Sequence, residues 1–116
     1  MIFTRRQRVF VELRDGVPIR ILNHAPYDPD GPPVVEWSRA GAVSAIRAQV
    51  FDRAAGHCER CDTPITPSTG HMHEVLPRGR GGEISLANSV ALCARCHLGK
   101  TGVHANHYPQ FGLRKE

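Results

Sequence analysis

The chain has 116 residues, of which 41% are apolar, and its formal net charge is +4. This length fits one domain with a modest core, which a bound metal or another cross-link would help to stabilise. The basic side chains are 13 arginines and 2 lysines, a balance that suits an anionic partner, although an arginine-rich surface explains the charge equally well. No stretch approaches the roughly 18 consecutive apolar residues of a membrane span, and no signal peptide is recognisable. We therefore expect a cytoplasmic protein without membrane contact.

Residues 1–37 are predicted to hold a basic arm, a β-hairpin and a linker. Arg5, Arg6 and Arg8 make the arm, which either tracks DNA or is a disordered end. Two runs of β-forming residues flank Asp15-Gly16, a dipeptide typical of a hairpin turn. The stretch 25–33 contains several prolines, which exclude a helix and predict an extended linker.

A helix is predicted from Ser38 to about Ala55. Apolar residues recur there at spacings of three and four, Ser38 is a suitable N-cap, and Gly56 stands just beyond the end. Arg53, near the end of this helix, is placed to interact with the helix dipole, and we assign it no other role. The helix leads directly to the first cysteine.

Two C-x-x-C pairs, Cys58 with Cys61 and Cys93 with Cys96, are separated by 31 residues. Four thiolates are enough for a closed tetrahedral zinc site, which would be structural and not catalytic. The alternatives are two disulfides or a redox pair, but the expected reducing compartment and the lack of a thioredoxin-like pattern favour zinc. The separation exceeds that of a simple zinc ribbon, so a structured insertion is expected between the pairs.

The insertion contains a short strand, a glycine-rich turn and a second strand, and a helix follows. Its residues resemble the ββα-metal motif of the HNH endonuclease family over roughly residues 38–98. The landmarks in this chain are, in order, Val75-Leu76-Pro77, Arg78, Gly81-Gly82, Asn88, Leu92-Cys93 and Cys96-His97. The resemblance implies a small α+β, treble-clef-like domain over residues 38–103, with a C-terminal tail at residues 104–116.

One position departs from the family pattern. In the family register, His73 occupies the metal-ligand position and Glu74 occupies the position of the general-base histidine. In the reading we favour, His73 and His97 hold a catalytic cation and Glu74 takes the proton from water. In a second reading, a local bulge makes His73 the base and Glu74 a ligand, and in a third, catalysis has been lost.

The resemblance implies a metal-dependent endonuclease that hydrolyses phosphodiester bonds in double-stranded DNA, with structural Zn²⁺ and catalytic Mg²⁺ or Mn²⁺. It assigns Asn88 to hold the loop between the strands and orient the base. Arg78 and Arg80 would clamp DNA phosphates, or else form a solvated basic turn. Compact proteins of this kind resemble phage proteins that act beside terminase subunits in DNA packaging. The alternative function is a catalytically degenerate zinc module that binds DNA or a protein.

The remaining histidines receive no firm role. His71 either supports a metal ligand or is an exposed residue that alternates with His73 along the strand. His57, His104 and His107 have no partner by spacing and are left unassigned.

Overall fold

A three-stranded antiparallel sheet, with its first strand in the centre, forms the N-terminal part of the fold. The structure, a computed structural model, describes residues 7–22, 30–31, 34–99 and 102. β1 (Arg8–Arg14) and β2 (Val17–Leu22) are joined at Asp15 and Gly16, whose positive φ angles of 54° and 80° match the right-handed twist of a hairpin. The predicted hairpin is confirmed. Most of the predicted linker, and the arm before Gln7, lie outside the described residues.

The third strand, β3 (Val34–Ser38), is an addition to the predicted elements. It follows the proline-rich stretch and pairs with the free edge of β1, so that Val11 lies opposite Val35 on one side and Ile21 on the other. β1 is therefore the central strand of the sheet, and the side chain of its residue Val11 is fully buried.

The long helix α1 (Arg39–Ala54) begins and ends where the sequence predicts. The hydroxyl of Ser38 accepts a hydrogen bond from the Gly41 backbone N–H, which caps the first turn. Ala55 ends the helix in a left-handed conformation, and Gly56 follows with φ 83°. The buried side of α1 packs against the sheet and against a later strand, β5 (Ser89–Leu92).

Two short strands and a helix make up the C-terminal unit. β4 (His71–Glu74) pairs antiparallel with β5 (Ser89–Leu92), and a single 3₁₀ turn, Arg78–Arg80, lies in the connection between them. α2 (Ala94–Leu98) follows β5 after one residue. All four residues of β5 are buried, which makes this strand the centre of the unit.

The hairpin contacts the C-terminal unit directly. Ile21 donates a backbone hydrogen bond to the Ile84 carbonyl at 2.8 Å, and Leu86 donates one to the Ile19 carbonyl at 2.8 Å. One hydrophobic core then joins the sheet, α1 and the C-terminal unit, and its largest fully buried apolar side chains include Ile46, Leu92, Val11, Val50 and Val90. The fold class is the predicted one, a small mixed α+β domain with a hairpin, a main helix and clustered cysteines. The domain boundaries at residues 37/38 and 103/104 stay predictions.

Candidate functional site

The two cysteine pairs come together at one point. The four sulfurs of Cys58, Cys61, Cys93 and Cys96 lie within 4.8 Å of one another. The sulfurs of Cys61 and Cys93 are 3.7 Å apart. Four sulfurs at about 2.3 Å from a central Zn²⁺ would be separated by about 3.8 Å along each tetrahedral edge. The arrangement fits a structural zinc ion, as the sequence predicts.

Backbone N–H groups point at two of these sulfurs. Cys58 Sγ accepts from the N–H groups of Arg60 at 3.4 Å and Cys61 at 3.5 Å, and Cys93 Sγ accepts from Cys96 N–H at 3.4 Å. Backbone donors in these positions can also hydrogen-bond to sulfurs that are bound to a metal. The loop geometry of both pairs is therefore already suited to bound thiolates.

The thiols of Cys61 and Cys96 differ in acidity. Burial raises the pKa of the Cys61 thiol, but hydrogen bonds with the Thr63 hydroxyl and backbone, and with neighbouring thiols, outweigh burial and lower it to about 6. Burial and hydrogen bonding to the neighbouring thiols raise the pKa of Cys96. Of these two thiols, Cys61 is therefore the one that ionises more readily.

The second cysteine pair also positions a predicted catalytic residue. Cys93 is the N-cap of α2, and its carbonyl accepts the His97 backbone N–H at 3.0 Å. Cys96 lies on the same short helix, immediately before His97. The cysteine site therefore fixes the backbone position of His97, from which its imidazole extends.

Three histidines, His71, His73 and His97, gather between β4 and α2, and we call them the histidine group. The His73 and His97 rings meet edge to face with centroids 5.2 Å apart, and the His71 and His97 centroids are 5.0 Å apart. His73 is 8% exposed, whereas His71 and His97 are partly buried. The structure thus brings together the two histidines predicted to hold the cation and adds a third.

The closest contact in the histidine group does not involve His73. Nδ1 of His71 lies 2.8 Å from Nδ1 of His97. The sequence predicts that His71 either supports a metal ligand or is an exposed residue. Its ring is partly buried and directly contacts His97, so it is not simply an exposed residue. The signal missed in the sequence is the strand register, since His71 pairs with Leu92 and so lies next to the start of α2.

Glu74 has a different environment from the histidine group. Its Oε1 atom lies 3.3 Å from Arg78 Nε, and this buried oxygen accepts no hydrogen bond from the described residues. One of the two predicted phosphate-binding arginines is therefore next to the predicted base.

Asn88 links the two ends of the connection between β4 and β5. Its Oδ1 accepts the Leu76 N–H at 2.9 Å, and its Nδ2 donates to the carbonyls of Leu76 at 3.0 Å and Glu83 at 2.8 Å. The Val75 N–H also donates to the Asn88 carbonyl at 2.9 Å. These bonds hold the chain directly after Glu74, where the family resemblance places the residue that orients the base.

The turn after Pro77 carries the predicted DNA-binding arginines. Arg78 and Arg80 lie on the 3₁₀ turn and are exposed. Gly82 closes this turn by donating to the Pro77 carbonyl at 2.9 Å, and a Cβ atom there would collide with the Leu76 carbonyl. Gly82 is thus a steric requirement of the turn that presents the arginines.

Arg53 has a structural role that the sequence did not predict. Its guanidinium contacts both oxygens of the Glu59 carboxylate at 2.8 Å and donates to the carbonyls of Leu86 at 3.1 Å and Ser89 at 2.6 Å. Glu59 Oε2 accepts the Ala91 N–H at 2.8 Å. This network joins α1, the first cysteine pair and β5. Arg53 also lies in the last turn of α1, where the predicted interaction with the helix dipole places it.

Of the other histidines, the structure describes only His57. His57 is exposed, with Nδ1 3.1 Å from the Ala55 carbonyl oxygen. His104 and His107, in the C-terminal tail, lie outside the described residues.

A two-stranded unit followed by a helix, with a four-cysteine site at its base, defines a small metal-binding α+β domain. Residues 58–102, less than half of the chain, match the family model of the HNH endonuclease. The match confirms the resemblance inferred from the sequence and indicates an activity related to nucleic acid. No curated protein and no solved structure gave a significant match to the chain. In the described part of the chain, no helix is long and apolar enough to cross a membrane.

Proposed function

We propose that the protein is a metal-dependent DNA endonuclease of the HNH type, which hydrolyses phosphodiester bonds in double-stranded DNA. The observation that carries this proposal is the meeting of imidazoles from β4 and α2 within the matched segment. Imidazoles brought together from two elements suit a divalent first-row cation. The matched segment also carries a carboxylate, Glu74, in contact with the exposed arginine turn.

In this proposal, His73 and His97 hold the cation. When bound, Mg²⁺ or Mn²⁺ would supply positive charge to the scissile phosphate and the leaving 3′-oxygen. The carboxylate of Glu74 accepts a proton from the attacking water, and Asn88 keeps the following backbone in place. Arg78 and Arg80 bind phosphates on either side of the cut. The products carry 5′-phosphate and 3′-hydroxyl ends.

The choice of Glu74 over His73 as the base rests on the contact that His73 makes. His73 contacts the His97 ring, which suits a ligand, and this leaves Glu74, the residue in the family's base position, to accept the proton. The Oε1 atom of Glu74 keeps an acceptor site, because its contact with Arg78 at 3.3 Å lacks hydrogen-bond geometry. Binding of a DNA phosphate by Arg78 would draw the guanidinium away and leave the carboxylate to the water.

The same contact favours a second candidate function, a catalytically degenerate zinc module that binds DNA or a protein. The Glu74 carboxylate already contacts the Arg78 guanidinium, and the family pattern has histidine at this position. A phage origin, a place beside terminase subunits in DNA packaging and a cytoplasmic location belong to our proposal as well. Their support is the resemblance and composition of the chain.

The test is nicking of supercoiled plasmid by the zinc-loaded protein, with Mg²⁺ or Mn²⁺ added or omitted. The variants are Glu74→Ala, His73→Ala and His97→Ala, and the matched control is His57→Ala, which removes an exposed histidine outside the group. We expect metal-dependent nicking that is lost in the three site variants and kept in the control.

Two results would decide against parts of this proposal. Binding to a short DNA duplex without nicking at any metal concentration would exclude the endonuclease and support the degenerate module. Full activity of Glu74→Ala, together with an inactive His73→Ala variant that still binds Mn²⁺, would make His73 the base.

A further inference from the structure

The His71 side chain has no role in the function proposed above, yet it makes the shortest contact in the histidine group. The Nδ1 atoms of His71 and His97 are 2.8 Å apart. Two ring nitrogens that both present lone pairs repel at this distance, so either a proton or a cation must lie between them. With a proton, the pair is a hydrogen-bonded link between β4 and α2, and with a cation, both nitrogens are ligands.

The separation is close to that of neighbouring ligands on one metal ion. Two nitrogens at about 2.1 Å from an ion are about 3.0 Å apart when they subtend a right angle at the metal. A tetrahedral angle would place them about 3.4 Å apart. The 2.8 Å between the two nitrogens is nearer to the right-angle value, so the spacing suits two ligands of one ion.

The backbone around this pair is held in place by the rest of the fold. His71 pairs with Leu92, so it lies beside the residue that precedes Cys93, the cap of α2. His97 is held on α2 by the cysteine site. Neither histidine therefore relies on a loop to reach the other, and both rings are partly open to solvent.

We propose that His71 is a ligand of the catalytic cation, which it binds through Nδ1 together with Nδ1 of His97. His73 lies on the same strand, with its ring in edge contact with that of His97. Imidazole ligands favour Mn²⁺ and later first-row ions over Mg²⁺, which prefers oxygen. The cation of this site is therefore a transition metal such as Mn²⁺. This inference rests on the proposed function, because the cation is the one that serves phosphodiester cleavage.

The experiment measures Mn²⁺ binding to the zinc-loaded, full-length protein by calorimetry, and counts coordinated imidazoles by pulsed electron paramagnetic resonance of bound Mn²⁺. The variants are His71→Asn and His71→Ala, with His57→Ala as the matched control. We expect the wild-type protein to bind Mn²⁺ more tightly than Mg²⁺. The His71 variants should lose at least about tenfold in Mn²⁺ affinity, and the nitrogen signal should fall by one imidazole.

The imidazole count separates a ligand from a residue that only steadies His97. If His71→Asn keeps the wild-type nitrogen signal and Mn²⁺ affinity, the pair is a hydrogen-bonded link and the inference is wrong. Zinc content and circular dichroism show whether each variant is folded, and the asparagine variant serves if alanine disturbs β4.

The inference and the proposed function can fail separately. If the His71→Asn variant nicks plasmid as fast as the wild type and needs the same Mn²⁺ concentration, His71 is not a ligand, but the endonuclease proposal still holds. If the wild-type protein binds Mn²⁺ through His71 but cuts no DNA, His71 is a cation ligand and the endonuclease proposal is wrong.

Discussion

Replacing Asn88 with alanine removes the side chain that holds the connection between β4 and β5. Three hydrogen bonds are lost, two with the Leu76 backbone and one with the Glu83 carbonyl, at 2.8 to 3.0 Å. A hydrogen bond contributes a net of about 0.5–1.5 kcal/mol, and the partial exposure of this site favours the lower half of that range. We therefore expect the free energy of unfolding to fall by about 2 kcal/mol. For a domain of this size, that lowers the melting temperature by about 10 °C.

The measurement is thermal unfolding of the zinc-loaded protein, followed by circular dichroism. Ala87→Ser, an exposed neighbour in the same turn, is the control and should melt with the wild type. Asn88→Asp keeps the acceptor for Leu76 N–H but places a carboxylate beside two carbonyl oxygens, so it should lose as much stability as alanine. A melting temperature of Asn88→Ala within 2 °C of the wild type, taken as roughly the noise of the assay, would refute the reasoning about these bonds.

Three further substitutions test other parts of the fold. Elemental analysis should find about one zinc per chain. Cys61→Ser should lower the zinc content and unfold the domain, because a structural zinc site contributes about 10–16 kcal/mol to folding. A Cys61→Ser protein that is folded but free of zinc would argue against a structural zinc site. Arg53→Ala should lower stability in urea by about 2 kcal/mol, while the exposed Asp52→Ala stays near wild type, and equal curves would contradict the network. Gly82→Ala should lower the melting temperature because its Cβ meets a backbone carbonyl, whereas Gly79→Ala, which has open space, should change little.

The elements that the sequence predicts correctly are those with local signals. The Asp15-Gly16 turn, the Ser38 cap and the Gly56 stop each act on their own neighbours in the chain, so their conformations follow from residue type. The cysteine pairs are equally readable, because zinc chemistry restricts the spacing within each pair. These local features predict the hairpin, α1 and the metal site without any information on tertiary contacts.

Features that depend on contacts between distant segments were missed. β3 follows a proline-rich stretch and becomes a strand only because β1 offers a free edge. The contact of Arg53 with Glu59 needs α1, the first cysteine pair and β5 together. His71 reads as an exposed strand residue until the register with Leu92 brings it beside α2.

The cysteine site and the histidine group are physically coupled through α2. This helix has five residues, far fewer than the 12 to 15 or so that an isolated helix needs for marginal stability in water. Its position must come from packing and from Cys93 and Cys96, which a zinc ion would anchor to the first cysteine pair. Because His97 directly follows Cys96, loss of zinc would release the imidazole that both His71 and His73 contact. A structural metal in this fold would thus control the affinity for the second cation without touching it.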